Sequence, residues 1–508
     1  MMLMLISSLI FIIMLIKNID QLKNKQYYKS LEQFPSFPAY PLIGNLNMLL
    51  GSLTDLLKFM EKTMSLGDRL LFWLGPMPIL FLKKYDDIAT VLNQTQYRDW
   101  PGFGNQWFGI GMVNAKYEEW KISRKVFTPA FTTEMMSKYF NTFEKNSSSL
   151  VETFKPASLS GEIINVWEDV IKVNIDTITE NTVGVAIEGM GQEGKYFSNA
   201  LHEGMKMLAK QAMLPWLQIR LIYNAYLKLT GRSKLIDQFH ALPTKILKDK
   251  LNEYKIAQNS SLEDVPSSKA IIDQLIKGGL LESSFTEIRM RDELTHIIMT
   301  AIETTALNLC FLMLMLAIHQ DVQQKVYEEI EEIFKDNDTL TADHLFNGLK
   351  YTEQCIKETS RRFTHAIITT RRNHKECILK DNMIIPANTL ILAVLHLANQ
   401  DPDLYKNPQK WDPEHFSEQA IKNRPKNSFM SFGHGPRSCI GIRYAMLSVK
   451  TSIVYLLRDY HLTTNIKEVT NEDLTTDLSI RRKLGYLIKF LRRKQIENDN
   501  TMGYEITY

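Results

Sequence analysis

The strongest helical pattern in the chain runs over 286–319. Charged residues crowd its first two turns and apolar ones fill most of the rest. At the standard rise such a helix is about 50 Å long. A membrane span and a core helix compete for it. Glu303 at mid-length would be costly in lipid, and the wholly apolar run 311–318 is too short to cross a bilayer, so the core helix is the better reading. A second helical run covers 442–457. Residues 54–65 and most of 135–280 also read as helix, with breaks near 156–161, 189–191 and 259–261. Strand signals are few. Two short apolar runs, 69–75 and 78–82, are split by Gly and Pro and read as a hairpin in a small sheet. Residues 384–397 are strand-like, and 481–493 alternate enough for a terminal hairpin. The pattern predicts a mainly α fold with a small β portion.

Residues 1–16 carry no charge and are followed by Lys17. As a helix they span roughly 24 Å, against a hydrocarbon core of about 30 Å; inclusion of Asn18 and Ile19 narrows the gap. The alternatives are an uncleaved signal anchor and a cleaved secretory signal. No small-residue cleavage site follows, and the lysines after the span would hold that side in the cytosol, which favours the anchor. Prolines at 35, 38 and 41 then favour an extended, stiff spacer. The expected organisation is a transmembrane signal anchor over 1–19, a basic and proline-rich hinge over 20–45, a catalytic domain over 46–495, and a polar tail over 496–508.

Composition changes little in this picture. With 44% hydrophobic and 23% charged residues, the 508-residue chain can bury a sizeable core. A net charge of +3 without basic blocks gives no support for nucleic-acid binding. Four cysteines in so long a chain do not make a disulfide framework and fit a reducing compartment.

Chemistry concentrates at 432–441, Phe-Gly-His-Gly-Pro-Arg-Ser-Cys-Ile-Gly. Cys439 stands before the helical run 442–457. Unpaired backbone N–H groups and the dipole at such a helix start favour a thiolate, the metal-binding form of cysteine. Gly435 and Gly441 would let the loop turn sharply and lie flat against a large planar partner. A buried structural cysteine in a Gly-rich turn is the bland alternative. The pattern Phe-x-x-Gly-x-Arg-x-Cys-x-Gly resembles the haem-binding loop of the cytochrome P-450 monooxygenases, in which the cysteine is the axial iron ligand. Its five fixed positions arise by chance on the order of once in ten thousand chains of this length.

Further motifs follow in the order this resemblance implies. Trp120 and Arg124, at i and i+4, can converge on one anion; in the family the matching pair binds haem propionates. The resemblance also assigns Arg371 and Arg437 to propionates and Phe432 to the haem loop. Glu303-Thr304 matches the family's acid–alcohol pair, which delivers protons for dioxygen cleavage; Ala301 stands where the family usually has glycine. The bland alternative is a threonine bonded to its own helix and an acid with a buried partner. Glu358 and Arg361 match the family's Glu-x-x-Arg pair, whose third partner is usually an arginine; here it is His415. Thr364-His365 replaces a usual proline pair.

Taken with the stretch around Met313, the motifs look like the microsomal family-four clan, especially insect members. Many of these have a glutamate at the position of Thr300 that can become esterified to haem; this chain lacks it. The resemblance implies a cytochrome P-450 fold over 34–495, haem b as cofactor, and monooxygenation of an apolar small molecule: a fatty acid, a terpenoid or hormone, or a xenobiotic. It also implies an endoplasmic reticulum membrane location with the catalytic domain facing the cytosol. Electrons would come from NADPH-cytochrome P-450 reductase, with cytochrome b5 as a further candidate donor. Lys121, Lys125, Arg443 and Lys450 are candidate contacts for the reductase, or solvated surface. A haem-thiolate isomerase or dehydratase, and a non-catalytic haem-binding protein, are the competing functions.

Overall fold

A computed structural model describes residues 24–493, apart from 41–42, 51–55, 99–103, 188–189, 260–269, 283, 336–338 and 477–478. The expected anchor over 1–19 and tail over 496–508 lie outside the described residues.

Eight helices position the site: α1 (Tyr117–Phe127), α2 (Thr133–Ser160), α3 (Trp167–Val183), α4 (Gly191–Met213), α5 (Ser233–Asn259), α6 (Glu287–Ile318), α7 (Lys350–Arg362) and α8 (Ile442–Asp459). The predicted long helix is α6. Thr286 caps it, its side-chain oxygen accepting from the Arg289 N–H at 3.2 Å. α6 packs against α3, α5, α7 and α8. A helix that is apolar all round must be covered all round. Its most apolar window is 83% buried by neighbouring protein, so this is a core helix. α2 packs in turn on α3 and α8, and α4 pairs with α5.

The β portion is small, as expected. β1 (Arg69–Leu74) and β2 (Met77–Leu82) form the predicted hairpin, turning through Gly75 at φ +62°. Short strands follow: β3 (Ile163–Asn165), β4 (Ile368–Arg372), β5 (Cys377–Ile378), β6 (Ile384–Ile385), β7 (Leu390–Val394), β8 (Tyr460–Thr463), β9 (Leu474–Thr476), β10 (Ile480–Arg482) and β11 (Leu487–Arg492). The main sheet has the order β1-β2-β7-β4, with β7 parallel to β2 and antiparallel to β4.

The helix break expected near 156–161 falls at Gly161, φ +70°, the helix running through Pro156 to Ser160. Two expectations change. The terminal run 481–493 does not pair with itself: β10 joins β9, while β11 joins β3 and β8, the chain turning at Gly485. The described part of the hinge is no free spacer. It begins with a helix, Lys25–Leu31; Leu31 and Phe34 are buried, and the Pro35 carbonyl accepts from the Leu71 N–H at 2.8 Å. Leu31 and Phe34 pack with Leu71 of β1 and Leu80 of β2, while Tyr40 and Ile43 stay exposed.

Candidate active site

The loop 432–441 is fixed by its own backbone. Cys439 N–H donates to Phe432 O at 2.8 Å, Ser438 N–H to Gly435 O at 3.0 Å, and Gly433 N–H to Met430 O at 2.8 Å. Gly435 has a structural reason to lack a side chain. Its φ is +71°, and a Cβ there would stand 2.5 Å from the Leu92 carbonyl oxygen. Gly441 is different: at φ −87° it caps α8 with ordinary backbone, and its missing Cβ leaves space 3.9 Å from the Cys439 sulfur.

Cys439 keeps accessible surface although protein surrounds it, whereas Cys310, Cys355 and Cys377 are sealed in the core. Its thiol faces an internal space. Burial pushes the Cys439 thiol above its ordinary range; the Gly441 N–H, Arg124 and Arg98 pull in the opposite direction.

Four arginines gather on this side. Arg98 and Arg124 lie within electrostatic range of Cys439, and Arg371 within range of Arg98 and Arg437. They bond to neutral acceptors. Arg98 Nη1 donates to Val113 O at 3.0 Å, Arg124 Nη1 to Ser438 O at 3.0 Å, and Arg437 Nη2 to Ala115 O at 3.1 Å. Arg371 donates to Thr95 O, Thr370 O and the Thr369 hydroxyl at 3.2, 2.7 and 3.0 Å. Among the described residues, the buried Arg98 Nε has no hydrogen-bond partner. Desolvation lowers Arg98 to about 10, lowers Arg124, and takes Arg371 well below its ordinary value. Arg437 lies over the ring of buried Trp120, 4.5 Å from its centroid. Concentrated, poorly compensated positive charge at this depth calls for anions.

α6 is not uniformly closed. Accessible surface reappears at Thr300, Ala301 and Thr304, on one side of a helix buried elsewhere through its middle. Thr304 donates its hydroxyl to Thr300 O at 2.8 Å. Glu303 points away from Thr304, since successive helical residues diverge by about 100°. Arg481 of β10 donates to Glu303 Oε1 through Nη2 at 2.7 Å and Nε at 3.1 Å. The acid and alcohol are thus adjacent in sequence but face different neighbours.

Glu358 and Arg361 form a fully buried bidentate pair, at 2.7 Å (Nε to Oε2) and 2.8 Å (Nη2 to Oε1). Arg361 also donates to Asn399 O at 2.9 Å and Pro408 O at 2.8 Å. His415 completes the group: Nδ1 lies 3.1 Å from Glu358 Oε1 and Nε2 lies 2.7 Å from Lys406 O. Thr364 closes the next turn, donating to Arg361 O at 3.0 Å. His365 is buried and kept neutral, its pKa pushed down to about 3 by desolvation.

Arg98 was not singled out in the sequence, where it borders an aromatic and Gly-rich loop with no spacing that marks it. One suggested docking residue needs correction: Lys450 is buried, donating to Glu353 Oε2 at 2.7 Å and Leu345 O at 2.9 Å, so it can meet no partner protein.

The donor set fits a flat, doubly carboxylated cofactor whose metal is held by sulfur, which places the protein among haem-thiolate proteins. The chain belongs to the cytochrome P450 family: the family's model, "Cytochrome P450", matches residues 35–490. It is similar to cytochrome P450 4d1 of Drosophila melanogaster, 27% identical over 87% of this chain and 90% of that protein. It is also similar to cytochrome P450 4c21 of Blattella germanica, at 24% over 87% and 90% of the two chains, and to human cytochrome P450 4V2, at 22% over 93% and 92%. The protein is accordingly a family-four-like cytochrome P450 monooxygenase, an oxidoreductase whose cofactor is haem b.

Proposed function

We propose that this protein inserts one oxygen atom from O2 into an apolar small molecule, a fatty acid, terpenoid or xenobiotic, using electrons from NADPH through cytochrome P-450 reductase. The observation that carries the site assignment is the accessible Cys439 thiol deep in the protein, flanked by arginines bonded to neutral acceptors. Cys439 would be the axial ligand, and Arg98, Arg124, Arg371 and Arg437, with Trp120, would hold the propionates. Haem bound there supplies the iron at which dioxygen is activated.

The remaining roles belong to the chain's own groups. Thr304 holds a proton at its hydroxyl on the open side of α6. Glu303, on another side, is oriented by its ion pair with the partly exposed Arg481. The Glu358–Arg361–His415 group keeps α7 and the chain before the haem loop rigid without touching the reacting atoms. Residues 1–19 anchor the chain in the endoplasmic reticulum membrane with the domain in the cytosol. Exposed Lys121, Lys125 and Arg443 serve as reductase contacts, and cytochrome b5 is a second donor.

Reconstitution with reductase, NADPH and O2, using lipophilic compounds chosen by haem spectral shifts, tests this reading. The expected result is oxygenated product that requires all three. Turnover of a hydroperoxide without reductase, and none with it, would favour an isomerase or dehydratase instead.

A further inference from the structure

Residues 109–115 form a strap between the short helix Asn105–Phe108 and α1, and their hydrogen bonds run in two directions. On one side stand early residues of α6. Asp292 Oδ2 accepts the Ile110 N–H at 3.0 Å, Glu293 Oε2 accepts the Met112 N–H at 2.8 Å, and the His296 ring lies 3.4 Å from Gly109 O. Two glycines permit this closeness: a Cβ at Gly109 would collide with the Asp292 carboxylate, and one at Gly111 would stand 2.6 Å from the His296 ring. On the other side, Arg98 and Arg437 hold the Val113 and Ala115 carbonyls. Those are two of the arginines assigned above to the haem carboxylates.

Glu293 joins the two sides. Its second oxygen accepts the hydroxyl of Ser123, the residue before Arg124 on α1, and Arg289 donates to that oxygen at 2.9 Å and to Ser123 Oγ at 2.9 Å. The side chain is fully buried, and desolvation raises its pKa against these donors. One carboxylate thus ties the strap, α1 and α6 at a single point.

We propose that Glu293 is a positioning residue through which seating of the haem carboxylates closes the strap 109–115 onto α6. The proposal rests on the assignment of Arg98, Arg124 and Arg437 to those carboxylates. An arginine has five donors, so each can hold a carboxylate and keep its strap carbonyl. An arginine fixed by a carboxylate loses rotamer freedom and presents its remaining donors in one place. The strap's far end is then stapled, while Asp292 and Glu293 staple its near end. Coupling of this kind is reciprocal: haem favours the closed strap, and the closed strap retards haem loss.

The test uses the purified full-length holoprotein, its haem-free form, and Glu293→Gln and Ser123→Ala variants of each. Haem loss is followed by transfer to excess apomyoglobin, and strap closure by tryptic cleavage after Lys116, an exposed residue bordering the strap. Haem should slow cleavage after Lys116 about tenfold in the unmodified protein, in line with loss of one charge-assisted contact. Glu293→Gln should lose haem about tenfold faster and abolish that protection, with the reduced carbon-monoxide band unmoved because Cys439 still ligates. Ser123→Ala, which removes one hydroxyl, should shift both rates in the same direction by less, and it keeps the test open if Glu293→Gln does not fold. Unchanged haem loss and protection in the variants would overturn the proposal. So would equal acceleration at every tryptic site, the mark of a merely structural role. Arg98→Met with unchanged haem loss would strike the carboxylate assignment beneath it.

Discussion

Two regions of this molecule gather partly or fully buried arginines and satisfy them in opposite ways. Around Glu358 the fold brings its own anion: Arg361 and His415 share one carboxylate, and backbone carbonyls take the remaining donors. Around Cys439, among the described residues, Arg98, Arg124 and Arg371 donate to neutral oxygens, and desolvation depresses all three. A self-sufficient network builds the protein. A charge-unbalanced one is built for something that arrives later. Burial alone does not separate a structural arginine from a binding one; what its donors reach does.

The largest effect expected from breaking this contrast is at Glu358. Glu358→Ala leaves Arg361 buried without its anion, a loss of about 3–5 kcal/mol, and urea unfolding or soluble yield should show it with or without haem. Arg371→Met should act with opposite signs in the two forms. The haem-free protein should gain stability, on the order of 1 kcal/mol, since an unbalanced buried charge is gone. The holoprotein should release haem faster, and parallel melts of the two forms would read both signs.

Acidification sharpens the contrast next. His296 and His240 are depressed to about 4, and His365 and His396 to about 3, all by desolvation. Unfolded histidine titrates near 6.5. These groups therefore give stability that is present above about pH 6.5 and lost as pH falls toward 4, because the unfolded chain takes up protons that the fold refuses. Urea midpoints from pH 4 to 9 would show this acid-side loss. The smallest effect belongs to the surface: Lys125→Ala breaks a 3.0 Å pair with Glu282 that is mostly in water, worth less than about 1 kcal/mol, and should alter only the salt dependence of electron transfer.

The comparison also explains what was legible in the sequence. Cys439 with its glycines, Glu358 with Arg361, and the helix 286–319 are local patterns whose spacing fixes their geometry. Arg98 is not local: it reaches the cluster because the chain before α1 passes beside strand β4 and the 432–441 loop, and no spacing encodes that. Lys450 looked exposed by residue type, yet it sits on the face of α8 turned toward Glu353. The terminal strands misled for the same reason, since alternation marks a strand but not its neighbour. Glu303 and Thr304 were read as one unit because they adjoin, and a helix sends adjoining residues apart.

The seam between Pro35 and Leu71 has a practical consequence for trimming the chain. A cut before residue 24 leaves the helix Lys25–Leu31 and the buried Phe34 in place, and should preserve the domain. A cut at residue 40 would uncover the side of β1 that bonds Pro35 and leave a greasy groove where Leu31 and Phe34 had been. Material from the second cut should clump in solution while the first stays monodisperse.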